Sequence, residues 1–150
     1  MALPEAQEVD FVVLNEDYSR LLVHDGTIIK AKIVVRKIFF TPQKTPEGYP
    51  AGFFFDSINA VAAIVPPALR SKPSLEPFNP QTDKGQEISF EEQDIKTQEY
   101  MTTNGFRITI KPTVTKVFRY AKINAYGEPV YNVIIQSISN IHKIESTATS

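Results

Sequence analysis

Three features of this sequence predict an all-β chain, folded as a small barrel or sandwich from two duplicated strand–hairpin–strand units. Strand-forming Val, Ile, Phe, Tyr and Thr dominate, and 11 prolines punctuate any long helix. Residues 27–39 alternate, with Ile29, Ala31, Ile33, Val35, Lys37 and Phe39 on one parity and Ile28, Lys30, Lys32, Val34 and Arg36 on the other. That is the period of a half-buried strand. The same arrangement then returns 79 positions later, from Gly26 to Gly105.

Taken in chain order, residues 9–15 form an N-terminal strand suited to covering a sheet edge. Leu21, Leu22 and Val23 precede Asp25-Gly26, a strong hairpin signal because glycine accepts positive φ without steric cost. The long strand 27–39 follows, then a connection at 41–49 and a return strand carrying Phe53, Phe54, Phe55 and Ile58. Residues 60–65 read as strand or helix, and Pro66-Pro67 ends either. Segment 66–87 contains five prolines, a functional loop or linker with room for a short helical turn at 67–70. Leu69, Leu75 and Phe78 are the residues able to pin it to the domain surface. Ser89 to Glu92 matches a capping box, but Phe90, Ile95 and Tyr100 are spaced too widely for a helical stripe. A strand is therefore expected from about residue 95, with the preceding turn open.

In the second unit, Asn104-Gly105 is the turn, 106–118 the long strand, 120–128 the connection, and Val133, Ile134, Ile135 and Ile138 mark the return strand. Aligned without a gap, Gly26, Ile29, Lys32, Val35, Lys37, Phe39, Gly48 and Pro50 fall on Gly105, Ile108, Lys111, Val114, Lys116, Phe118, Gly127 and Pro129. Turn chemistry alone explains the paired lysines and Gly-x-Pro triplets poorly. The repeat units span about 17–65 and 96–144 of a single domain covering 1–150, with 145–150 as a polar tail. A lone three-stranded unit is marginal, so each must bury its apolar face on the other. Lys37 and Lys116 sit on the apolar parity. A bulge must turn them outward, or their stems pack while the ammonium reaches the rim.

Sixteen basic against 17 acidic residues leave a net charge of -1, so only a local patch can attract nucleic acid. With no cysteine, thiolate metal sites, iron–sulfur clusters and cysteine nucleophiles are excluded. The two histidines, His24 and His142, lie in no catalytic motif. Glu91, Glu92 and Asp94 lack the alternating ligands and bend glycine of a calcium loop. No glycine run cradles a phosphate. The sequence therefore predicts no enzyme, metal or cofactor. The N-terminus is acidic and proline-broken, unlike a secretory signal, and the longest apolar run falls far short of a membrane span. A cytoplasmic location, or one inside a virion or other large assembly, is expected.

Two functions remain. The first is non-enzymatic binding or assembly, with copies of itself or another protein as partner, as a structural subunit of a virion or similar assembly. The second is nucleic-acid binding by a β-barrel through basic strand faces: Lys30, Lys32 and Arg36 on one long strand, Arg107, Lys111 and Arg119 on the other, with Phe40, Tyr120 and Tyr126 nearby. Lys37 and Lys116 complete the candidate binding residues.

Overall fold

A computed structural model describes residues 5–144, so the tail at 145–150 lies outside the described residues. Ten strands follow in order: β1 Gln7–Val9, β2 Phe11–Asn15, β3 Ser19–Val23, β4 Ile28–Phe40, β5 Phe53–Ile64, β6 Gln86–Glu87, β7 Phe90–Asp94, β8 Gln98–Thr102, β9 Phe106–Ile123 and β10 Pro129–Lys143. A 3-10 turn over Pro67–Leu69 is the sole helical element among the described residues. None of them forms a helix long and apolar enough to cross a membrane.

Both expected hairpin turns form. Gly26 has φ 92° and donates its N–H to the Val23 carbonyl at 2.9 Å, while the Val23 N–H reaches Thr27 O at 2.8 Å. Gly105, with φ 96°, does the same against Thr102. This is a type I turn closed by a left-handed residue, a conformation that glycine alone adopts cheaply.

The strands make two antiparallel sheets and do not close a barrel. In one sheet β4 pairs with β5 on one side and with β3 and β1 on the other, and β7 extends β3. In the other, β9 pairs with β10 on one side and with β8 and β6 on the other, and β2 extends β8. The N-terminal chain changes sheet between β1 and β2, and residues 88–89 do so between β6 and β7.

The ladders of the first sheet have counterparts in the second at the same spacing, except that the return strand is one residue nearer in the second half: Val35↔Ser57 corresponds to Val114↔Ile135. Gln7↔Phe40 and Glu8↔Phe39 match Gln86↔Arg119 and Glu87↔Phe118. Leu21↔Ile29 matches Tyr100↔Ile108. Phe11↔Thr102, across the two halves, matches Phe90↔Val23. The isolated bridge Lys44↔Pro50 matches Ile123↔Pro129. The sequence signal for the outer pair of strands, Gln-Glu-Val-Asp-Phe at 7–11 against Gln-Glu-Ile-Ser-Phe at 86–90, carries the same offset and lies outside the region aligned above.

A bulge resolves the paired lysines. In β4 the register passes from Val35↔Ser57 to Lys37↔Asp56, leaving Arg36 extra. In β9 it passes from Val114↔Ile135 to Lys116↔Ile134, leaving Thr115 extra at the matching position. The extra residue reverses parity, so Lys37 and Lys116 are exposed while Ile38 and Val117 are fully buried. Phe39, expected inside, faces outward and stacks on Phe54 at 5.0 Å. Phe40 takes its place in the core.

Two clusters fill the space between the sheets, each built from both. One joins Ile33, Val35, Ile38 and Phe40 of β4 to Tyr100, Phe106, Ile108 and Ile110. The other joins Val114, Val117 and Val133 to Leu21, Val23 and Ile29. Each core thus combines the hairpin of one half with the far end of the other half's long strand.

Two local expectations change. Residues 60–64 continue the β4 ladder as far as Ile64↔Ile28, so this alanine-rich run is strand: long-range pairing overrides its helical propensity. The capping-box segment also begins as strand at Phe90, and the chain breaks at 95–97 before β8, because Phe90 to Asp94 pair with β3. In the proline-rich connection Phe78 packs edge-on against Tyr120 at 4.7 Å, whereas Leu75 is fully exposed and pins nothing.

Candidate interaction surface

Of the eight basic candidates, Lys30 and Lys32 stand on the outer face of the first sheet, 5.0 and 4.6 Å from the centre of the Tyr18 ring. Lys32 is also 4.0 Å from Glu16. Arg36, the bulge residue, pairs with Asp56 at 2.7 Å, and Lys37 with Glu8 at 3.5 Å. On the second sheet Arg107 pairs with Glu99 at 2.8 Å, while exposed Lys111 and Lys116 have no carboxylate within reach among the described residues. Arg119 leaves this face altogether: the bulge at Thr115 reverses its parity and aims it at Asp25, 3.0 Å away.

The two basic stripes are therefore not copies of one surface. Only Lys32/Lys111 and Lys37/Lys116 occupy matching positions; Lys30 corresponds to Thr109, Arg107 to Ile28 and Arg119 to Phe40. The aromatics expected beside them are elsewhere. Phe40 is buried against Phe106, Tyr120 faces Phe78, and Tyr126 sits at a hairpin tip. The ring that does stand among lysines is Tyr18, which no periodicity marked.

His24 and Glu91 line one hollow of about 320 Å³ with Ser89 and Phe90, but no side-chain hydrogen bond among the described residues joins them. His142 borders another with Glu99 and Arg107. Among the described residues, no three His, Asp or Glu side chains stand close enough to hold a metal ion.

Two buried polar groups tie the halves together. The Asp25 carboxylate, 7% exposed, accepts from the Tyr131 hydroxyl at 2.6 Å, the Thr27 N–H at 2.9 Å and the Arg119 guanidinium at 3.0 Å. Burial works to raise its pKa, but these donors together hold it below the ordinary 3.8. Burial, then the bond to Asp25, pushes the Tyr131 phenol up to about 12. Opposite, Gln98 is fully buried and clasps the backbone of Ile33, accepting from its N–H at 2.9 Å and donating to its carbonyl at 2.5 Å. Its amide also donates to the Tyr100 hydroxyl at 2.6 Å, which donates to Glu16 at 2.7 Å. Burial raises the Tyr100 phenol as well. Ile33 lies in the stretch of β4 between the ends of β3 and β1, where no strand supplies partners. The matching residue in β9 is Pro112, which has no N–H to satisfy, and the position matching Gln98 holds Ser19.

The most distinctive surface is formed by two open edges. Among the described residues β5 pairs only with β4, and β10 only with β9, leaving 12- and 15-residue strands with one side unpaired. β5 carries one charge, Asp56, and β10 none before its end at His142-Lys143. Ile58, Val61 and Ile64 on β5 are 49%, 42% and 48% exposed, and Ile138 on β10 is 63% exposed. Phe53 of β5 and Ile141 of β10 border one hollow of about 650 Å³, so the two edges converge on one side of the molecule. The other edges are short: β7 bears Glu91, Glu92 and Asp94, and β2 has five residues.

The chain matches no protein-family model, no curated protein and no solved structure.

Proposed function

We propose that this protein is a non-enzymatic assembly subunit that associates with copies of itself, and that it arose by duplication of one strand–hairpin–strand unit. The matched registers and bulges support the duplication. The observation that carries the assembly reading is the pair of long, nearly uncharged edges on β5 and β10. Natural sheets protect such edges with charge, proline, bulges or brevity, because unpaired N–H and C=O groups template further strands. Here β7 is protected in that way and β5 and β10 are not. A repeated subunit of a virion or comparable large structure fits this surface.

Light scattering across a wide range of concentration tests it: mass should grow with concentration, and Ile138→Lys should suppress that growth while the circular dichroism spectrum is retained. A strict monomer throughout would overturn the reading.

One observation favours a second role. Arg20 and Lys30 lie directly opposite each other across the β3–β4 ladder, with Lys32 and Tyr18 beside them. Like charges so placed repel unless an anion bridges them. Binding of single-stranded nucleic acid at low salt, lost in Lys30→Glu, is expected of that role.

A further inference from the structure

The self-association proposed above leaves open which edge meets which, and the side chains narrow the choice. A strand joining an existing sheet must keep inward residues inward and outward residues outward. On β5 the outward side chains are Phe54, Asp56, Ile58, Ala60, Ala62 and Ile64, opposite outward residues of β4. On β10 they are Ile134, Gln136, Ile138, Asn140 and His142, opposite Lys116, Thr113, Lys111, Thr109 and Arg107. Pairing β5 with β5 of a second copy sets its most apolar stretch against itself and leaves the basic end of β10 unanswered. Antiparallel pairing of β5 with β10 uses both edges and places their few charges together.

We infer that β5 of one copy pairs antiparallel with β10 of a second copy, with Asp56 opposite His142 and Ala60 opposite Ile138. In that register Ile58 faces Asn140, Ala62 faces Gln136 and Ile64 faces Ile134. The most exposed large hydrophobic of β10, Ile138, enters the gap left by Ala60 between Ile58 and Ala62. The single carboxylate of β5, which Arg36 of its own copy engages at 2.7 Å, gains a second partner in the His142-Lys143 end, the only ionisable groups on β10 apart from the Tyr131 phenol. Within one copy the Lys143 N–H at this edge donates to the Tyr49 hydroxyl at 3.1 Å, and β10 approaches β5 where Phe53 and Ile141 border one hollow. The inference rests on the assembly reading, and the residue pairing is its own content. Because each copy offers both edges, the contact either closes a twofold pair or continues as a chain.

The absence of cysteine makes a direct test available. Residues directly opposite across an antiparallel ladder bring their Cβ atoms close enough for a disulfide. Full-length Ala60→Cys and Ile138→Cys proteins are mixed at a concentration where light scattering shows assembly, then mildly oxidised and separated on a non-reducing gel. The expected result is a mixed dimer far in excess of either homodimer. A dominant Ala60→Cys homodimer would mean β5 pairs with β5 and would overturn the inference. So would more efficient linkage of Ile58→Cys than of Ala60→Cys to Ile138→Cys, which would shift the register by two. Assembly without any of these links overturns the edge pairing and leaves the assembly reading intact. Failure of the unmodified protein to assemble at all removes both.

Discussion

Tyr131 donates its hydroxyl to the Asp25 carboxylate at 2.6 Å, joining the second half's return strand to the first half's hairpin turn across 106 positions of chain. The same hydroxyl lies 2.9 Å from Thr27 Oγ1, so turn, strand and Arg119 form one connected polar group.

Tyr131→Phe removes one donor from a nearly buried carboxylate. It should cost about 1–2 kcal/mol at neutral pH. Asp25 has a folded pKa below its ordinary value, so the stability it contributes is present above pH 3.8 and is lost as pH falls through the lowered value. Tyr131 behaves oppositely: its contribution is present below 10.0 and lost as pH rises towards about 12. Urea unfolding of both proteins across pH should therefore show their difference shrinking at either extreme. A difference that does not change with pH would show that the Asp25 bond is not its source.

Gln98→Leu keeps the volume of the side chain but leaves the Ile33 N–H and C=O buried without partners. A loss of about 2–3 kcal/mol is expected. Pro112→Ala, at the matching place in β9, should not stabilise the fold despite relieving a strand of its proline, because it creates a donor where nothing is placed to accept. Chemical denaturation of both variants checks the contrast.

The turn glycines separate backbone strain from crowding. A Cβ at Gly105 meets nothing within 4 Å, so Gly105→Ala pays only for a left-handed backbone, about 1 kcal/mol. At Gly127 (φ 78°) the Cβ would stand 2.8 Å from the Ser71 carbonyl oxygen, and the loss in Gly127→Ala should be clearly larger. Equal losses in thermal melts would refute the crowding contribution.

Deleting Thr115 should be tolerated better than a deletion inside the longest strand suggests. Removing the extra residue leaves Val114 facing inward, Lys116 outward and Val117 inward, so every neighbour keeps its side and the ladder to Ile134 and Ile135 becomes continuous. A folded protein weakened by about 1–3 kcal/mol in chemical denaturation is expected, from loss of the local twist alone. Loss of the fold on deletion would refute this parity account, and Thr115→Ala, which keeps the extra residue, should stay within about 0.5 kcal/mol of the unmodified protein.

The all-β class, both hairpin turns and the two long strands were legible because glycine and alternation report local geometry directly, whereas the choice between a closed barrel and two open sheets was not. What alternation could not show is where it breaks. Beyond Arg36 and Thr115 the parity reverses, which exchanges Phe39 with Phe40 and removes Arg119 from the surface. Periodicity assumes one residue per step, and a bulge adds one without any composition mark. The crossing of β2 and β7 to the other half's hairpin was equally hidden, because a strand sequence does not name its neighbour. The basic candidates were visible as residue types, but their neutralisation by Glu8, Asp56, Glu99 and Asp25 depends on distances that sequence does not carry. Gln98 and Tyr100 had no signal beyond being polar atoms in a strand whose neighbours are apolar.

The exchange of edge strands between the halves also governs how the chain reaches its fold. Neither core holds residues from one half alone, so the first 79 residues have nothing complete to collapse onto while they emerge from a ribosome. The bond from Tyr100 to Glu16 closes a loop of 84 positions, and that from Tyr131 to Asp25 one of 106. The entropy of those closures must be spent before either hairpin gains its packing. Synthesis must therefore run almost to the end of β10 before the protein can fold, and the two halves should then melt together in one transition despite their likeness.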